Sequence, residues 1–337
     1  MKRFLSIAAL LLAIAAGAGF WAMEEVKRSV LAPLTLEEPT HLTIRPGSNI
    51  NSIFRQLEAN GWVESNPWRQ YARVLRPDLT AVKAGTFLVT PDMTVETALQ
   101  HFISGREHQF SITLVEGDRF VDWLVQLQGR DDLLVETEGL SEADIAKKLG
   151  HEGDKLEGLL LPETYYFTQG DSDLTILKRA YDAMDELLDK AWSQKSDALM
   201  LKSPYEVLIM ASIIEKETAL ASERGLVSSV FNNRLKRGMR LQTDPTVIYG
   251  MGDAYTGVIT RSALRTPTAY NTYTIDGLPP TPIAMPSQAS VLAAVNPEVS
   301  NYYYFVADTK GGHTFSTTLK QHNRAVRVYR EWERSQK

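Results

Sequence analysis

The sequence predicts an α+β protein with one membrane-spanning helix, a small α+β module and a larger α+β domain. Three observations predict this class. An uncharged apolar run covers residues 4–23 and is long enough to cross a bilayer as a helix. Three short β-type runs between residues 41 and 128 are each followed by a turn and an amphipathic helical pattern. A long apolar helical stretch follows Ser203, and an apolar, aromatic run over residues 302–307 predicts a buried strand.

The composition narrows the functional classes. The chain has 337 residues, which suggests about two domains, and a formal net charge of -5. This mildly acidic balance gives no support for nucleic acid as a partner. Cysteine is absent, which excludes disulfides, thiolate catalysis, cysteine-based zinc sites and an acylated-cysteine anchor. The six dispersed histidines, including His313 and His322, form no HExxH motif, so the sequence predicts neither a metal nor a cofactor.

The N-terminus predicts a membrane anchor. Lys2 and Arg3 precede the apolar run, which predicts a cytoplasmic tip at residues 1–3 and a transmembrane helix over residues 4–23. Residues 24–40 are polar with two prolines and are expected to form a linker. The alternative is a cleaved signal peptide, because the Ala-Gly-Ala sequence that begins at Ala16 resembles a cleavage site. In either case the bulk of the chain functions beyond the membrane.

The three strand–turn–helix units define the expected module over residues 41–128. The first two resemble one LysM module, a small βααβ unit that binds glycan. Generic α+β packing is the alternative. A mostly helical connector is expected over residues 129–157, followed by the larger domain over residues 158–337. Surface helices are expected at residues 174–192 and 319–333.

The stretch after Ser203 predicts a buried helix that ends in two carboxylates. Ser203 and Glu206 form a capping box, and a proline occupies the first helical position. Residues 207–214 are apolar nearly all round, which predicts burial on most sides. Glu215 and Glu217 follow directly, and carboxylates at the end of a buried helix are costly unless they are required. The simple alternative is that the helix emerges into water at this point.

Several long strings in the sequence resemble a known family. They are ASIIEKETALASER, VFNNRL, LQTDPTVIYG, PTAYNTYTIDGLPPTPI, and YYYFVAD followed by GGHTF. Over nearly the whole chain, the sequence resembles the YceG-like endolytic murein transglycosylases. The resemblance implies a bacterial inner-membrane enzyme with a periplasmic catalytic domain, here residues 158–337, that cleaves within nascent peptidoglycan strands. It also implies proximity to the enzymes that synthesise peptidoglycan, the glycosyltransferases and penicillin-binding proteins.

The helical period assigns different roles to the two glutamates. Residues two apart point about 160° apart on a helix, so Glu215 and Glu217 cannot both face one cleft. Glu217 continues the apolar line through Met210 and Ile214, and partial desolvation there raises the pKa of a carboxyl. Glu217 is therefore the predicted catalytic acid, and it forms with Thr218 a pair that resembles the Glu-Ser pair of other lytic transglycosylases. Glu215 and Thr218 are expected to make supporting contacts.

Other polar and aromatic residues are predicted to bind the sugar chain. Amide, carboxyl, hydroxyl and aromatic groups are common in carbohydrate sites, and the resemblance implies that the QTDPT motif lies along the cleft. The predicted substrate-binding residues are Gln242, Asp244, Thr246, Tyr270, Asn271 and Tyr273. For each tyrosine, core packing is the alternative. Glu163 is a further carboxylate, for which a structural role is favoured, and Asp244 is an alternative second acid.

One carboxylic acid is enough for the implied reaction. It protonates the leaving oxygen, and as a carboxylate it then removes the proton of the C6 hydroxyl of the same muramic acid. That hydroxyl closes on C1 and gives a 1,6-anhydro end, whereas most hydrolases require two carboxylates. The intramolecular attack has a high effective molarity. A muramidase that adds water and a non-catalytic peptidoglycan-binding scaffold are the alternatives.

Overall fold

The computed structural model describes residues 2–336, and their side chains from residue 6 onward. The expected cytoplasmic tip includes Met1, which lies outside the described residues. The fold is α+β, with short strands that pair in two-stranded sheets. Contacts divide the chain into two compact units. The first contains the residues up to Phe110 together with Tyr166–Gln169, and the second contains Ser111–Tyr165 and Gly170–Lys337.

The first unit combines the N-terminal helix with a small α+β arrangement. Its elements are α1 (Lys2–Val30), β1 (Thr40–Ile44), α2 (Ile50–Ala59), α3 (Ala72–Leu75), β2 (Gly85–Val89) and α4 (Val95–Ser104). β1 and β2 are antiparallel, with Leu42 opposite Phe87. Both of these side chains are buried in an apolar core that α2 and α4 complete. β3 (Phe110–Thr113) pairs with β4 (Thr164–Phe167) in a second two-stranded sheet.

The N-terminal helix is longer than the sequence predicted. It continues to Val30, so the linker expected from residue 24 is wrong for its first seven residues. Val26 and Val30 are 1% and 0% exposed because they pack one helical turn apart into the core of the first unit. The segment Ser6–Val30 is long and apolar enough to span a membrane, with a mean hydropathy of 2.0.

The three predicted strand–turn–helix units are confirmed. β1 leads into α2, β2 leads into α4, and β3 leads into α5 (Phe120–Gln128). In the first and third turns Gly47 and Gly117 each have a φ of 80°, a left-handed conformation that favours glycine. The side chains of Asn49 and Thr94 cap α2 and α4 by accepting a bond from the third backbone N–H of each helix. Each turn therefore contains the local signal that begins its helix.

The second unit is larger and mainly helical. Its further elements are α6 (Glu142–Leu149), α7 (Asp173–Ser193), α8 (Pro204–Glu217), α9 (Arg224–Lys236), α10 (Asp244–Met251), α11 (Gln288–Val295), β5 (Tyr304–Ala307), β6 (His313–Ser316) and α12 (Leu319–Ser335). α8 packs against α7, α9, α10 and α11, and every residue from Val207 to Ile214 is buried. The buried helix after Ser203 is therefore confirmed.

The boundary between the units differs from the expected one at residue 128. Residues 111–128 belong to the second unit. Gly117 N donates to Met285 O at 2.8 Å, and Met285 N donates to Asp118 O at 2.9 Å. The backbone of Phe120 donates to a carboxylate of the same unit. Sequence periodicity does not reveal such distant bonds, which attach the third strand–turn–helix unit to the larger unit.

The C-terminal part forms one wall of the functional region. β5 and β6 form an antiparallel hairpin, with Phe305 opposite Phe315, and α12 packs against both strands. The residues of β5 are half-buried rather than buried as predicted, because a two-stranded hairpin leaves one face partly uncovered. The surface helix expected at residues 319–333 is confirmed, and none of its described residues is fully buried.

Candidate active site

Glu217 is the last residue of α8 and lies on the wall of a cavity of about 560 Å³. The end of α8, the loop before α10, the β5–β6 hairpin, α9 and α12 surround this cavity. The polar and charged side chains on its wall include Arg234, Gln242, Asp244, Tyr273, His313 and His322. A carboxyl group thus faces a concave space lined by amide, aromatic and charged groups, which is the composition of many binding sites for small polar ligands.

The environment of Glu217 raises the pKa of its side chain, so that a substantial fraction is protonated near neutral pH. Burial raises the pKa of Glu217 from 4.5 to about 7, and the nearby charge of Asp244 acts in the same direction. The hydroxyl of Thr243 donates to Glu217 Oε1 and opposes this rise, as do the charges of His313 and Arg234. The group is therefore an acid that can release a proton at neutral pH, as general acid catalysis requires.

The loop before α10 presents Thr243 to the acid. Gln242 has a φ of 50°, and it is the one non-glycine residue with positive φ in the described part of the chain. Such conformations cost energy and persist where the surrounding structure enforces them. Here Thr243 N donates to Thr272 Oγ1 at 3.0 Å, and Thr246 Oγ1 donates to Thr243 O at 2.8 Å. These bonds fix the hydroxyl that contacts Glu217.

Two of the predicted sugar-binding residues line the cavity beside Gln242. Asp244 begins α10, and its Oδ1 accepts a bond of 2.6 Å from the hydroxyl of Tyr273. Burial and this bond raise the pKa of Tyr273. Tyr270 is not on this wall, because its hydroxyl bonds Thr281 Oγ1 at 2.7 Å and its ring packs on another tyrosine.

Thr246 and Asn271, which were also predicted to bind sugar, are buried. Their side chains are 0% and 1% exposed, so neither presents a surface to a ligand. Thr246, in the first turn of α10, donates to Thr243 O and has its Oγ1 2.8 Å from Thr272 Oγ1. Asn271 Nδ2 donates to the backbone oxygens of Ala263, Leu264 and Thr266 at 3.1, 3.3 and 2.7 Å. Both residues therefore hold the loops that form the cleft, a role that a polar motif in the sequence does not distinguish from ligand binding.

Arg234 is a charged residue of the cavity that sequence reasoning missed. It is 8% exposed, and its Nε donates to Tyr303 O at 2.6 Å. Its Nη1 donates to Leu241 O at 2.8 Å. It thereby joins α9 to β5 and to the loop before Gln242, and its charge acts on Glu217. The string VFNNRL contains this arginine, but only the tertiary structure indicates its burial.

Sequence reasoning also missed the pairing of Glu223 with His313. His313 Nδ1 lies 2.6 Å from Glu223 Oε2, and His313 N donates to Glu223 Oε1 at 2.8 Å. Thr218 Oγ1 donates to Glu223 Oε2 at 3.3 Å, which connects this pair to the residue that follows Glu217. His313 had been considered only as a metal ligand. Glu223 and His313 are 90 residues apart, so no local pattern predicts their contact.

The other carboxylates near α8 have different surroundings. Glu215 is 5% exposed, and its Oε2 accepts a bond of 2.8 Å from Ser287 N and another from the Ser287 hydroxyl. Its Oε1 lies 3.4 Å from Arg224 Nη2. Glu163 is exposed, bonds the adjacent backbone and does not line the cavity of Glu217.

Glu157 is a second carboxyl with a raised pKa. It is 6% exposed, accepts a bond of 3.1 Å from Phe120 N and one of 3.2 Å from the Tyr249 hydroxyl. Burial raises its pKa from 4.5 to about 7. It borders a separate cavity of about 280 Å³ with Arg119 and Tyr249.

Within residues 2–336, no group of three histidine, aspartate or glutamate side chains is arranged to hold a metal ion. His313 bonds a single carboxylate, and His322 stacks on Tyr304 with ring centroids 5.3 Å apart. A partly desolvated carboxylic acid in a polar and aromatic cleft is typical of enzymes that cleave glycosidic bonds.

Comparison with known proteins gives the family. The profile of the YceG-like family matches residues 42–328, and the chain belongs to this family. A Bacillus subtilis protein named endolytic murein transglycosylase is 31% identical over 90% of this chain and 88% of its own length. Proteins of the same name from two Streptococcus pneumoniae strains are 28% identical, and the match covers 97% of this chain but 65% of their length.

A solved structure shows the same fold. The crystal structure of a YceG-like protein from Listeria monocytogenes has 30% sequence identity and a TM-score of 0.51. The match covers 86% of this chain and 99% of the Listeria chain. The likeness thus extends over both units.

Proposed function

We propose that this protein is an endolytic peptidoglycan lytic transglycosylase. It cleaves MurNAc–GlcNAc β-1,4 bonds within nascent glycan strands without adding water, leaves 1,6-anhydro-MurNAc ends, and so limits strand length. The names of the Bacillus and Streptococcus relatives support the substrate and the reaction class. The observation that carries the proposal for this chain is Glu217, a carboxyl with a pKa of about 7 on the wall of a polar cavity.

Glu217 is the proposed general acid. Protonated at neutral pH, it delivers its proton to the leaving oxygen as positive charge develops at the anomeric carbon. In the simplest scheme the resulting carboxylate then removes the C6 hydroxyl proton, and O6 closes on C1. The bond from the Thr243 hydroxyl holds the carboxyl in one orientation during the first step.

Gln242, Asp244 and Tyr273 are the proposed sugar contacts. All three line the cavity of Glu217. An amide recognises N-acetyl and hydroxyl groups, and a tyrosine ring offers an apolar face to a sugar. Tyr270 is proposed to support this wall through its contact with Thr281 rather than to bind sugar. Glu215, Thr218 and Glu163 are proposed to have structural roles.

The proposal extends to the other parts of the chain. A single-pass inner-membrane protein with a cytoplasmic N-terminus and a periplasmic catalytic unit is supported by the apolar segment Ser6–Val30. A LysM-like character of the first unit is supported by its strand–helix–helix–strand order, β1–α2–α3–β2. We assign it to glycan binding, and the second unit to catalysis beside the peptidoglycan-synthesising enzymes. Protease added to spheroplasts is expected to remove the second unit, and protection of that unit would reverse the orientation.

The experiment that tests the function is mass spectrometry of glycan strands incubated with the full-length protein in detergent. Wild-type protein is expected to release internal fragments that end in 1,6-anhydro-MurNAc. Glu217→Gln is expected to reduce the rate by at least about 100-fold, because general acid catalysis contributes about 10²–10⁴-fold. Glu215→Gln is the matched control on the same helix and is expected to keep measurable activity.

Each contrary outcome identifies an alternative. Reducing ends in place of anhydro ends would indicate a hydrolytic muramidase, and Asp244 and Glu163 would be tested as the second carboxylate. Binding without cleavage by the wild-type protein would indicate a scaffold. Loss of activity in Glu215→Gln with activity kept in Glu217→Gln would reverse the assignment of the acid.

A further inference from the structure

Glu223 holds the ring of His313 at a fixed orientation. Both oxygens of Glu223 are used: Oε1 accepts from His313 N, and Oε2 accepts from His313 Nδ1 and from Thr218 Oγ1. The backbone before His313 approaches the carboxylate so closely that a Cβ at Gly312 would lie 2.6 Å from Glu223 Oε1. The two side chains are only 16% and 13% exposed. The ring therefore has little freedom to rotate.

This contact determines which ring nitrogen is free to accept a proton. An ionised carboxylate only accepts hydrogen bonds, so the Nδ1 that faces Glu223 carries the hydrogen. In the neutral ring Nε2 is then the basic nitrogen. His313 lines the same cavity as Glu217. A carboxylate that orients a histidine in this way is a recurring arrangement for general bases.

We propose that His313 is the general base of the reaction and that Glu217 acts only as the acid. This inference rests on the proposed function. His313 Nε2 takes the proton of the C6 hydroxyl, O6 forms a bond to C1, the bond from C1 to the leaving oxygen breaks, and that oxygen takes the proton of Glu217. The products are the 1,6-anhydro end, a free hydroxyl on the released strand, an imidazolium and a carboxylate. A proton passed from His313 to Glu217, directly or through water, restores the enzyme.

The charges around His313 suit this role. Three carboxyl groups face it: Glu223 before α9, Glu217 at the end of α8, and Asp308 in its own hairpin. Two other groups of the cavity are less suitable bases. Asp244 already accepts a bond from a tyrosine, and His322 stacks on Tyr304 without a carboxylate contact.

The pH dependence of the rate distinguishes a mechanism with Glu217 as the only acid–base group from one in which His313 is the base. With Glu217 alone, the rate at saturating glycan rises to a plateau as the pH falls, because the acid only needs to be protonated. With His313 as base, the rate also falls at low pH, where the ring is protonated, and the profile is bell-shaped. The rate of anhydro-end formation is measured by mass spectrometry between about pH 4.5 and 9, with full-length protein in detergent.

Four variants test the assignment. His313→Gln is expected to lower the rate by about 10²–10⁴-fold and to lose the low-pH decline. His313→Ala is expected to regain activity when imidazole is added, a response that a structural role would not give. Glu223→Gln is expected to lower the rate, because an amide can donate to Nδ1 as well as accept from it and so no longer fixes which ring nitrogen carries the hydrogen. His322 lines the same cavity and serves as the control, and His322→Gln is expected to keep the bell-shaped pH–rate profile.

The outcomes separate this inference from the proposed function. Wild-type protein that forms no anhydro ends would contradict the proposed function itself. Active wild-type protein with a low-pH plateau, or His313→Gln with the wild-type rate and profile, would overturn only the role of His313. Loss of activity in His313→Ala without rescue by imidazole, in a variant that still binds glycan, would also overturn it.

Discussion

At the scale of single residues, the loop that contacts Glu217 stores backbone strain at Gln242. A φ of 50° costs a non-glycine residue about 1 kcal/mol or more, whereas glycine adopts it freely. We expect Gln242→Gly to unfold at higher denaturant than Gln242→Ala, with a difference of about 1 kcal/mol in the free energy of unfolding. Urea unfolding followed by circular dichroism measures it.

The control for Gln242 lies on an ordinary helix. Arg327 is exposed within α12, where glycine is about 1 kcal/mol less favourable than alanine. Arg327→Gly is therefore expected to be less stable than Arg327→Ala, the opposite order. Equal stability of the two Gln242 variants would mean that the loop does not hold this residue in the left-handed region.

The sequence predicted Glu217, but it did not predict the contacts that Glu223, His313 and Arg234 make beside it. The pattern that selects Glu217 is local, because the apolar line of a helix continues through residues three and four apart. His313 and Glu223 are 90 residues apart, and Arg234 and Tyr303 are 69 apart. Contacts at these separations depend on how helices and the hairpin pack. A histidine or arginine in a single sequence has the same appearance whether it is buried in a site or solvated.

At the scale of elements, local signals predicted the starts of helices and strands well. In each strand–turn–helix unit a turn and a capping box precede the helix, and these signals depend on a few neighbouring residues. The extension of α1 beyond residue 23 was not predicted, because charged residues at 24 and 25 resemble the end of a membrane segment. Burial of Val26 and Val30 in the first unit outweighs that signal.

The extension of α1 leads to a prediction for the stability of the first unit. Val30 is 0% exposed, so Val30→Ala removes two buried methyl groups, at about 0.8 kcal/mol each. We expect the free energy of opening of β1 and β2 to fall by about 1.5–2 kcal/mol. Hydrogen exchange of their backbone amides in the full-length protein measures this change.

The adjacent residue gives the control for Val30. Leu31 is 46% exposed, and Leu31→Ala is expected to change the free energy by no more than about 0.5 kcal/mol. Equal exchange rates in Val30→Ala and wild-type protein would mean that the end of α1 does not contribute to the core of the first unit.

At the scale of the whole molecule, two carboxyls, Glu157, which is buried, and Glu217, which is half-buried, make stability depend on pH. Glu157 and Glu217 have native pKa values of about 7, above the ordinary 4.5. Between these two pH values the native state binds more protons than the unfolded state, so the free energy of unfolding falls as the pH rises. Below about pH 4.5 both groups are neutral in both states, and above about pH 8 the loss is complete. The protein therefore gives up stability at neutral pH to keep its acid protonated.

Glu157 gives the test of this dependence, because it lies outside the cavity of Glu217. Its raised pKa corresponds to about 3 kcal/mol lost between pH 4.5 and pH 8, at about 1.4 kcal/mol per unit. Glu157→Gln keeps an acceptor for Phe120 N and cannot ionise. The free energy of unfolding of this variant is therefore expected to fall by about 3 kcal/mol less than that of the wild-type protein over this pH range. Urea unfolding at pH 5 and pH 8.5 measures the difference. Glu186→Gln, an exposed change on α7, is expected to keep the wild-type dependence, and the same slope in Glu157→Gln would mean that Glu157 ionises freely in the folded protein.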